Sequence, residues 1–470
     1  MTLNTRSAFG RRLRTIRLRS VHTRKGLLIG TGPIVLLVGV MPIAAPGGAD
    51  VNSRSAARTW HVQPTPNPSG TEISGLSSIS CVPGTTRCTA VGSSSRTLST
   101  ITRTLAERWD GVHWRIQPIP TPAGTSDTLY GVSCPSASVC MTVGTAFHSS
   151  NRHTTPLTEV WNGKSWRVLA SPTVGSRTQL NAISCTSATW CEAVGLFDDS
   201  TGKSQAFAEW WNGSTWHAQT AVRPVNSSMF TGVSCFNPHA CFAVGSQSDG
   251  DTRPLTQWWN GARWLVRAAP VPTGANGGYL SAVSCTSPSA CTATGTDFRP
   301  GGVTLAERWN GTSWRIQPTP NPSDWKSSFR SVELDGVSCT STVACTASGE
   351  YAPAGNADYF IERWNGGGWR LETTQRPGGF MHGALLAISC TVTRCSAVGA
   401  YTRVSLLQST LAMADRLTSH YLSRSRLRPG TMMIGGLASV SGQNAWLDLD
   451  VSDFTLVPCL EDLRRQSRKD

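Results

Sequence analysis

The motif Trp-Asn/Asp-Gly-x-x-Trp occurs six times in this chain, beginning at Trp109, Trp161, Trp211, Trp259, Trp309 and Trp364. Two of its settings, TLAERWDGVHWRIQPIP (104–120) and TLAERWNGTSWRIQPTP (304–320), are almost the same sequence. Such a repeat restricts the chain to architectures that stack one small unit on the next, because a single unit cannot bury its own apolar face. Asn-Gly or Asp-Gly between alternating apolar runs signals a β-hairpin with a two-residue turn. With Asp110 and Gly111 at the turn centre, Trp109 is expected opposite Val112 and Glu107 opposite Trp114. Leu105, Glu107, Trp109, Val112, Trp114 and Ile116 then share one face. Two indoles on one face need cover, and the next copy supplies it. A structural role between sheets is therefore expected for Trp109, Trp114, Trp161, Trp166, Trp211, Trp216, Trp259, Trp264, Trp309, Trp314, Trp364 and Trp369. Trp190, Trp210, Trp258 and Trp325 stand outside these slots and are the candidates for exposure.

Fourteen of the fifteen cysteines form seven close pairs: Cys81/Cys88, Cys134/Cys140, Cys185/Cys191, Cys235/Cys241, Cys285/Cys291, Cys339/Cys345 and Cys390/Cys395. Regular local pairing reads as disulfides formed in an oxidising compartment. Zinc would need four ligands per site, and no histidine recurs beside these pairs. Cys459 is left over, free or intermolecular. The first cysteines recur at intervals near those of propeller repeats. Each unit reads as four strands: one ending at the first cysteine, one starting at the second, and the two arms of the Trp hairpin. Pro/Gly-rich connectors such as PTPNPSG (64–70) break one sheet from the next, because proline cannot extend a ladder.

The fold class expected is an all-β propeller of four-stranded antiparallel blades. TWHVQ, beginning at Thr59, is an outer strand with no unit before it, so it is expected to close the ring by completing the last sheet. SVSGQNAWLDL (439–449) reads as a degenerate hairpin of an eighth unit, with Tyr421 in the Trp slot of the unit before. Eight blades are expected, with seven as the rival. The domain boundaries are 1–49 for a leader, 50–459 for the propeller with its last blade at about 430–459, and 460–470 for a polar tail.

The formal charge of +14 is concentrated in the leader, where residues 1–25 carry eight basic and no acidic side chains. No basic stripe follows, so nucleic-acid binding is not expected. The apolar run GLLIGTGPIVLLVGVMPIAA (26–45) fits a cleaved signal peptide, or an uncleaved anchor that would be the only membrane contact. Either reading places the bulk of the chain outside the cytoplasm, secreted or at the cell surface.

The combination GVSC…C-x-AVG…ERWNG-x-x-W resembles repeats in secreted or surface β-propeller-like proteins of GC-rich bacteria, a group mostly without assigned activity. The likeness covers roughly residues 57–450. The Gly-x-x-Trp half of the turn also resembles the Asp-box of sialidase-type propellers, but the Ser-x-Asp half is absent. Sialidase chemistry is therefore not implied.

Glu107, Glu159, Glu209, Glu307 and Glu362 occupy one strand position, with Gln257 in the remaining copy. Paired carboxylates serve glycoside hydrolysis, but a residue repeated in every blade points to packing, with the carboxylate accepting an indole N–H. No catalytic residue, metal site or cofactor is assigned. The disulfide and Asn-Gly loops should share a uniform face, and the loops that differ in every copy should lie opposite. Function on a rigid scaffold resides in such loops. The ligand-binding candidates are His148, His153, Phe197, Asp198, Asp199, Asp249, Asp251, Arg299, Tyr351 and Tyr359. The function expected is an exported, monomeric, non-catalytic propeller that binds a protein or glycan. The alternatives are a carbohydrate-active enzyme using mouth carboxylates such as Asp198, Asp297 or Glu350, and a structural envelope module.

Overall fold

In the computed structural model, residues 59–71, 73–96, 101–222, 226–299, 302–322, 332–352, 357–403 and 408–416 are described. The leader, Trp325, Tyr421, the 439–449 hairpin, Cys459 and the tail lie outside them. The described residues form 28 β-strands and no helix. Blade 2 shows the plan: strands a to d are Thr125–Ser136, Val139–His148, His153–Trp161 and Trp166–Leu169, paired antiparallel in that order.

Strand a lines the axis in every blade. It is Ile73–Cys81 in blade 1, Thr178–Ser187 in blade 3 and Ser227–Asn237 in blade 4. Blades 5, 6 and 7 begin with Gly278–Ser287, Glu333–Ser341 and Phe380–Cys390. In blade 7, strand c is Gln408–Arg416, and strand d is the N-terminal Thr59–Gln63, paired antiparallel with it. The closing strand is thus as expected, but it completes a seventh sheet. Blade 7 packs directly on blade 1, so the described residues form a ring of seven sheets, and the eighth unit expected at 439–449 lies outside them.

The serine of the repeated Val/Ile-Ser-Cys is the reason the ring has a fixed spacing. In each blade the Cys backbone N–H donates to the serine hydroxyl of the preceding blade. The pairs are Cys134 to Ser80, Cys185 to Ser133, Cys235 to Ser184, Cys285 to Ser234, Cys339 to Ser284, Cys390 to Ser338 and Cys81 to Ser389, all at 2.9–3.0 Å. These seven bonds form a closed cycle. Each strand a also carries a β-bulge after its recurring Leu or Phe. The strand-b glycine paired with that Leu or Phe lies against the carbonyl of the residue before it. A Cβ on Gly144 would sit 2.0 Å from the Thr128 carbonyl oxygen, so that position admits only glycine.

The hairpin register differs from the sequence expectation. Trp109 pairs with Trp114, Arg108 with Arg115 and Glu107 with Ile116, enclosing a four-residue loop. Val112 stands at the loop tip, 67% exposed, and not in the Trp face. The physical reason is the side chain at the first loop position. The Oδ1 of Asp110, Asn162, Asn212, Asn260, Asn310 and Asn365 accepts two backbone N–H groups across the loop at 2.8–3.1 Å. A two-residue turn would forfeit both bonds. The following glycine supplies positive φ, +113° at Gly111.

The core lies between neighbouring sheets. Ten of the twelve slot tryptophans are buried, and the two of each hairpin sit with ring centroids 5.7–6.0 Å apart. Trp259 and Trp364 are partly buried. Burial of one such side chain is worth about 3 kcal/mol. One cluster joins Val91 and Ala106 of blade 1 to Leu129, Leu157, Trp161 and Trp166 of blade 2. The d-strand indoles have a specific acceptor, the residue three places after the Trp of the preceding blade. Trp114 donates to Gln63 at 3.1 Å, Trp264 to Gln219 at 2.7 Å, Trp369 to Gln317 at 3.0 Å and Trp60 to Glu372 at 3.2 Å. Leu169 and Arg267 hold that slot where Trp216 and Trp314 lack a partner, and Trp166 makes no such bond although Gln117 is present.

All seven expected cysteine pairs are bonded: Cys81–Cys88, Cys134–Cys140, Cys185–Cys191, Cys235–Cys241, Cys285–Cys291, Cys339–Cys345 and Cys390–Cys395. The bridges do more than close the a–b hairpins. The second cysteine of each pair, namely Cys88, Cys140, Cys191, Cys241, Cys291, Cys345 and Cys395, is buried. The reason is register: Cys140, Cys191, Cys241 and Cys345 stand directly across the sheet from Trp161, Trp211, Trp259 and Trp364. Cross-strand partners share a face, so each sulfur joins the same core cluster as its tryptophan. The bridges are therefore part of the packing between blades as well as staples of the a–b hairpins. Seven disulfides suit a chain that folds in an oxidising compartment.

Candidate functional site

The two faces are distinguished by what their loops share. Gly111, Gly163 and Gly213 of the hairpin turns lie against Thr86, Ser138 and Thr189 of the disulfide loops, so these recurring loops occupy one face. The b–c loops and d–a connectors meet on the other, as in Asp127 N–H to Thr102 O at 3.0 Å and Phe298 N–H to Gly277 O at 3.1 Å.

The repeated glutamates are not on either face. Glu107, Glu159, Glu209, Glu307 and Glu362 are fully buried inside the blades, and Met413 holds the same position in blade 7. The expected indole–carboxylate bond is not made: Trp259 donates to Pro238 O at 3.0 Å and Trp309 to Pro288 O at 3.3 Å, whereas the Trp109, Trp161 and Trp364 indoles have no partner. The carboxyls of Glu159, Glu307 and Glu362 have no hydrogen-bond partner. Glu107 has none either, whereas Glu209 accepts the Ser171 hydroxyl at 2.8 and 2.9 Å.

Gln257 shows why. Its side-chain amide accepts the Val222 N–H at 3.1 Å and donates to the Val222 carbonyl at 2.7 Å. The corresponding connector residue for the five glutamates is Pro66, Pro120, Pro172, Pro270 or Pro320. Proline has no N–H to give. Burial accordingly raises all five carboxyls, Glu159, Glu209 and Glu307 to about 8, and Glu107 and Glu362 well above the ordinary range. They are held uncharged at neutral pH, as interior packing groups.

The ten candidate residues divide into two sets. Strands b and c run further than their sequence suggests, so three aromatic candidates are in sheets. Phe197 is buried edge-on to Phe207, and Tyr351 lies edge-on to Phe360. Tyr359 is wholly buried, donates to Gln375 O at 2.7 Å and lies under the Arg376 guanidinium at 4.1 Å. Their packing removes all three from the binding surface.

The others lie on four different blades. His148 and His153 are opposed across blade 2, with His148 Nε2 3.1 Å from Thr155 Oγ1. Asp198 accepts the Ser204 hydroxyl at 2.8 Å, and Arg299 is committed to Asp297 at 2.6 Å. Asp251 pairs with Arg253 at 3.5 Å.

Asp199 and Asp249 are brought together across blades 3 and 4. Gln205 donates to Asp199 at 3.1 Å and to the Asn226 carbonyl at 3.1 Å, Lys203 donates to Asn226 Oδ1 at 3.1 Å, and Asn226 donates to Asp249. Asp199 also accepts the Thr201 hydroxyl and the Thr201 and Lys203 N–H groups, and these bonds hold it down to about 2. Three tryptophans expected to be exposed are instead half-buried: Trp210 stacks on His217 at 5.1 Å, and Trp190 and Trp258 pack on the core.

Sequence reasoning named a central mouth, with Glu350 among its carboxylates, but not the residues that line the channel, a cavity of about 210 Å³ bounded by strand a of all seven blades. Its walls carry the bulged residues Ser77, Tyr130, Asn181, Thr231, Ser281, Asp335 and Leu386. Each stands at x in the otherwise constant Leu/Phe-x-Ser/Gly/Ala-Ile/Val-Ser-Cys, and that one variable letter inside a constant motif was the available signal.

Polar groups converge where blades 5 and 6 meet the variable face. Glu333 and Glu350 are direct cross-strand partners. Glu333 accepts the Ser281 hydroxyl at 3.1 Å, and the Tyr279 phenol nearby is pushed up, first by burial and then by the charge of Glu333. Asp335 is raised well above the ordinary range, first by burial and then by the charges of Glu333 and Glu350. Glu350 is raised by burial and by Glu333. The Oδ2 of Asp335 has no partner. Three carboxyls and a phenol at one side of the mouth form a constellation that no other blade repeats among the described residues.

No family model matches this chain, and no curated protein matches it. Solved structures do resemble it. A fucose-specific lectin from Aleuria aurantia is 13% identical over 66% of this chain and 100% of its own, with a TM-score of 0.42. A PL25 ulvan lyase bound to a GlcA–Rha3S unit is 10% identical over 75% of this chain and 95% of its own, with a TM-score of 0.48. A Trypanosoma rangeli sialidase mutant with trans-sialidase activity is 9% identical over 76% of this chain and 58% of its own, with a TM-score of 0.42.

Proposed function

We propose that this chain is an exported, non-catalytic binding propeller that recognises a glycan or a protein through its variable face and channel mouth. The observation that carries this reading is the division of labour between positions. Residues repeated in each blade are consumed by packing, whereas the one position that varies inside the constant Leu/Phe-x-Ser/Gly/Ala-Ile/Val-Ser-Cys motif lines the channel in all seven blades. The hydroxyl, amide and phenol groups there offer both donors and acceptors, which suits a polyhydroxylated ligand. A glycan array and a cell-surface pull-down with the exported protein test this. Asn181→Ala with Tyr130→Ala should lower affinity for the captured ligand at least about tenfold, a loss of about 1.4 kcal/mol. Unchanged binding would sink the reading.

A second reading is favoured by one observation, the Glu333–Asp335–Glu350 cluster. Asp335 is raised by burial and stands beside two further carboxyls, and glycosidases work with a raised carboxyl near a second one. In that case Glu333→Gln and Asp335→Asn would abolish release of new reducing ends from a polysaccharide while leaving binding in place. Wild-type protein that binds but releases nothing excludes it.

A further inference from the structure

On the uniform face, between blades 1 and 2, lies an open cleft of about 530 Å³ whose walls include Arg87, Arg108, Asp110, Arg115, Ala137 and Trp161. Each arginine stands at a position that the repeat fills seven times. Arg87 precedes the second cysteine, where the other blades have Val139, Trp190, Ala240, Ala290, Ala344 and Arg394. Arg108 precedes the first hairpin Trp and Arg115 follows the second. Blade 1 is the only blade with arginine at all three.

Packing fixes the middle one. Arg108 lies over the Trp161 ring at 5.1 Å and donates to the Ala137 carbonyl. The equivalent Arg308 does the same to Trp364 at 5.6 Å and to the Thr342 carbonyl. Holding Arg108 there is structural, but the repulsion beside it is not. Its guanidinium is pushed below its ordinary value by burial and then by the charge of Arg87. The one acid in the cleft, Asp110, is already bound to Arg115 at 3.0 Å and to two backbone N–H groups. Two cations are thus held together with no counter-charge between them, and a third closes the side. Nothing in the packing of the hairpin requires Arg87, since five of the seven blades have an uncharged residue in its place.

We propose that this cleft is an oxyanion-binding site, taking a sulfate, phosphate or carboxylate group through Arg87, Arg108 and Arg115. Guanidinium forks match such groups in bidentate geometry, and an anion between Arg87 and Arg108 relieves their repulsion. The site is separate from the variable face and does not depend on the ligand proposed there.

The test is thermal unfolding and titration calorimetry with inorganic sulfate, inorganic phosphate and glucuronate, each against sodium chloride at equal ionic strength. The three arms distinguish which oxyanion is preferred. At least one should raise the unfolding temperature saturably beyond chloride. Arg87→Ser and Arg115→Ser, both at exposed side chains, should each weaken that binding several-fold, whereas Arg315→Ser on blade 5 should leave it unchanged. An ionic-strength effect only, or equal responses in Arg87→Ser and Arg315→Ser, overturns the site. If Arg87→Ser lowers the unfolding temperature without ligand, Arg115→Ser decides by the same comparison.

Discussion

The Cys81 backbone N–H donates to the Ser389 hydroxyl at 3.0 Å across 308 residues of chain. It repeats, at the junction between the first and last blades, the bond that every other blade makes to its neighbour. The N-terminal strand carries Trp60 and Val62 into the cluster between blades 6 and 7, with Tyr359, Ile361, Leu385 and Leu411, and its Gln63 accepts the Trp114 indole of blade 1 at 3.1 Å. The ring is therefore closed from the N-terminal side by a strand that belongs, by sequence, to no unit of its own.

Trp60→Ala should accordingly be among the most damaging single changes. Truncation of a buried aromatic costs about 3–5 kcal/mol, and here it also loosens the strand that covers the edge of strand c in blade 7. Chemical denaturation should show the loss, and the variant should associate through the uncovered edge, measured by light scattering. A fall of less than about 1 kcal/mol, the size of an ordinary substitution, would mean that the closure does not hold the ring.

Stability should decline as pH rises. A carboxyl whose folded pKa is raised binds its proton more tightly in the native state. Its contribution is complete below the unfolded value, about 4.3, and is lost as pH climbs through the folded value. For Glu159, Glu209 and Glu307 that window ends at about 8. Thermal unfolding between about pH 5 and about pH 9 should therefore show a falling midpoint. Glu307→Gln should flatten the decline, with a gain of about 1 kcal/mol or more at the alkaline end. An identical slope in the variant would show that Glu307 is not held uncharged.

The strand-d acceptor can be added where it is missing. Leu169→Gln places an amide in the slot that serves the unpartnered Trp216 indole. A buried hydrogen bond of this kind is worth about 1 kcal/mol, less the packing that Leu169 gives up. A small rise in stability is expected, and Gln219→Leu should produce the opposite effect on Trp264. Urea denaturation of both variants measures it.

Non-reducing peptide mapping should find each of the seven cysteine pairs bridged locally. Removing one pair as Cys285→Ala with Cys291→Ala should cost about 2 kcal/mol through the short loop it closes, with a further loss of packing at the buried Cys291. Free thiols throughout the protein would contradict folding in an oxidising compartment.

Much of the frame was legible because the repeat samples the same physics many times. Cysteine spacing gave the a–b hairpins, and Thr59–Gln63 stood out as a strand with no unit before it. That Cys140, Cys191, Cys241 and Cys345 sit in the core was less legible, because it depends on their register with the hairpin tryptophans. Which sheets close the ring was obscured because 439–449 has the pattern of a hairpin, whereas only the packing of Cys81 on Ser389 reveals which blades touch. Turn length was misread because Asn-Gly suits two loop sizes, and the choice rests on the bonds that Asp110 makes to Val112 and His113. The aromatic candidates Phe197 and Tyr359 were misplaced because strands extended into apparent loops. Asp335 was missed because a bulge, invisible in composition, turns it into the channel.

The bulge also separates two kinds of change. Leu334 and Val337, flanking Asp335 on strand a, are buried between blades, whereas Asp335 itself faces the channel. Seven single positions can therefore be relettered while the serine-to-cysteine cycle and the interblade indoles stay untouched. The axis behaves like a combination lock with one dial per blade, so relatives with the same scaffold could diverge in ligand by turning dials and leaving the casing alone.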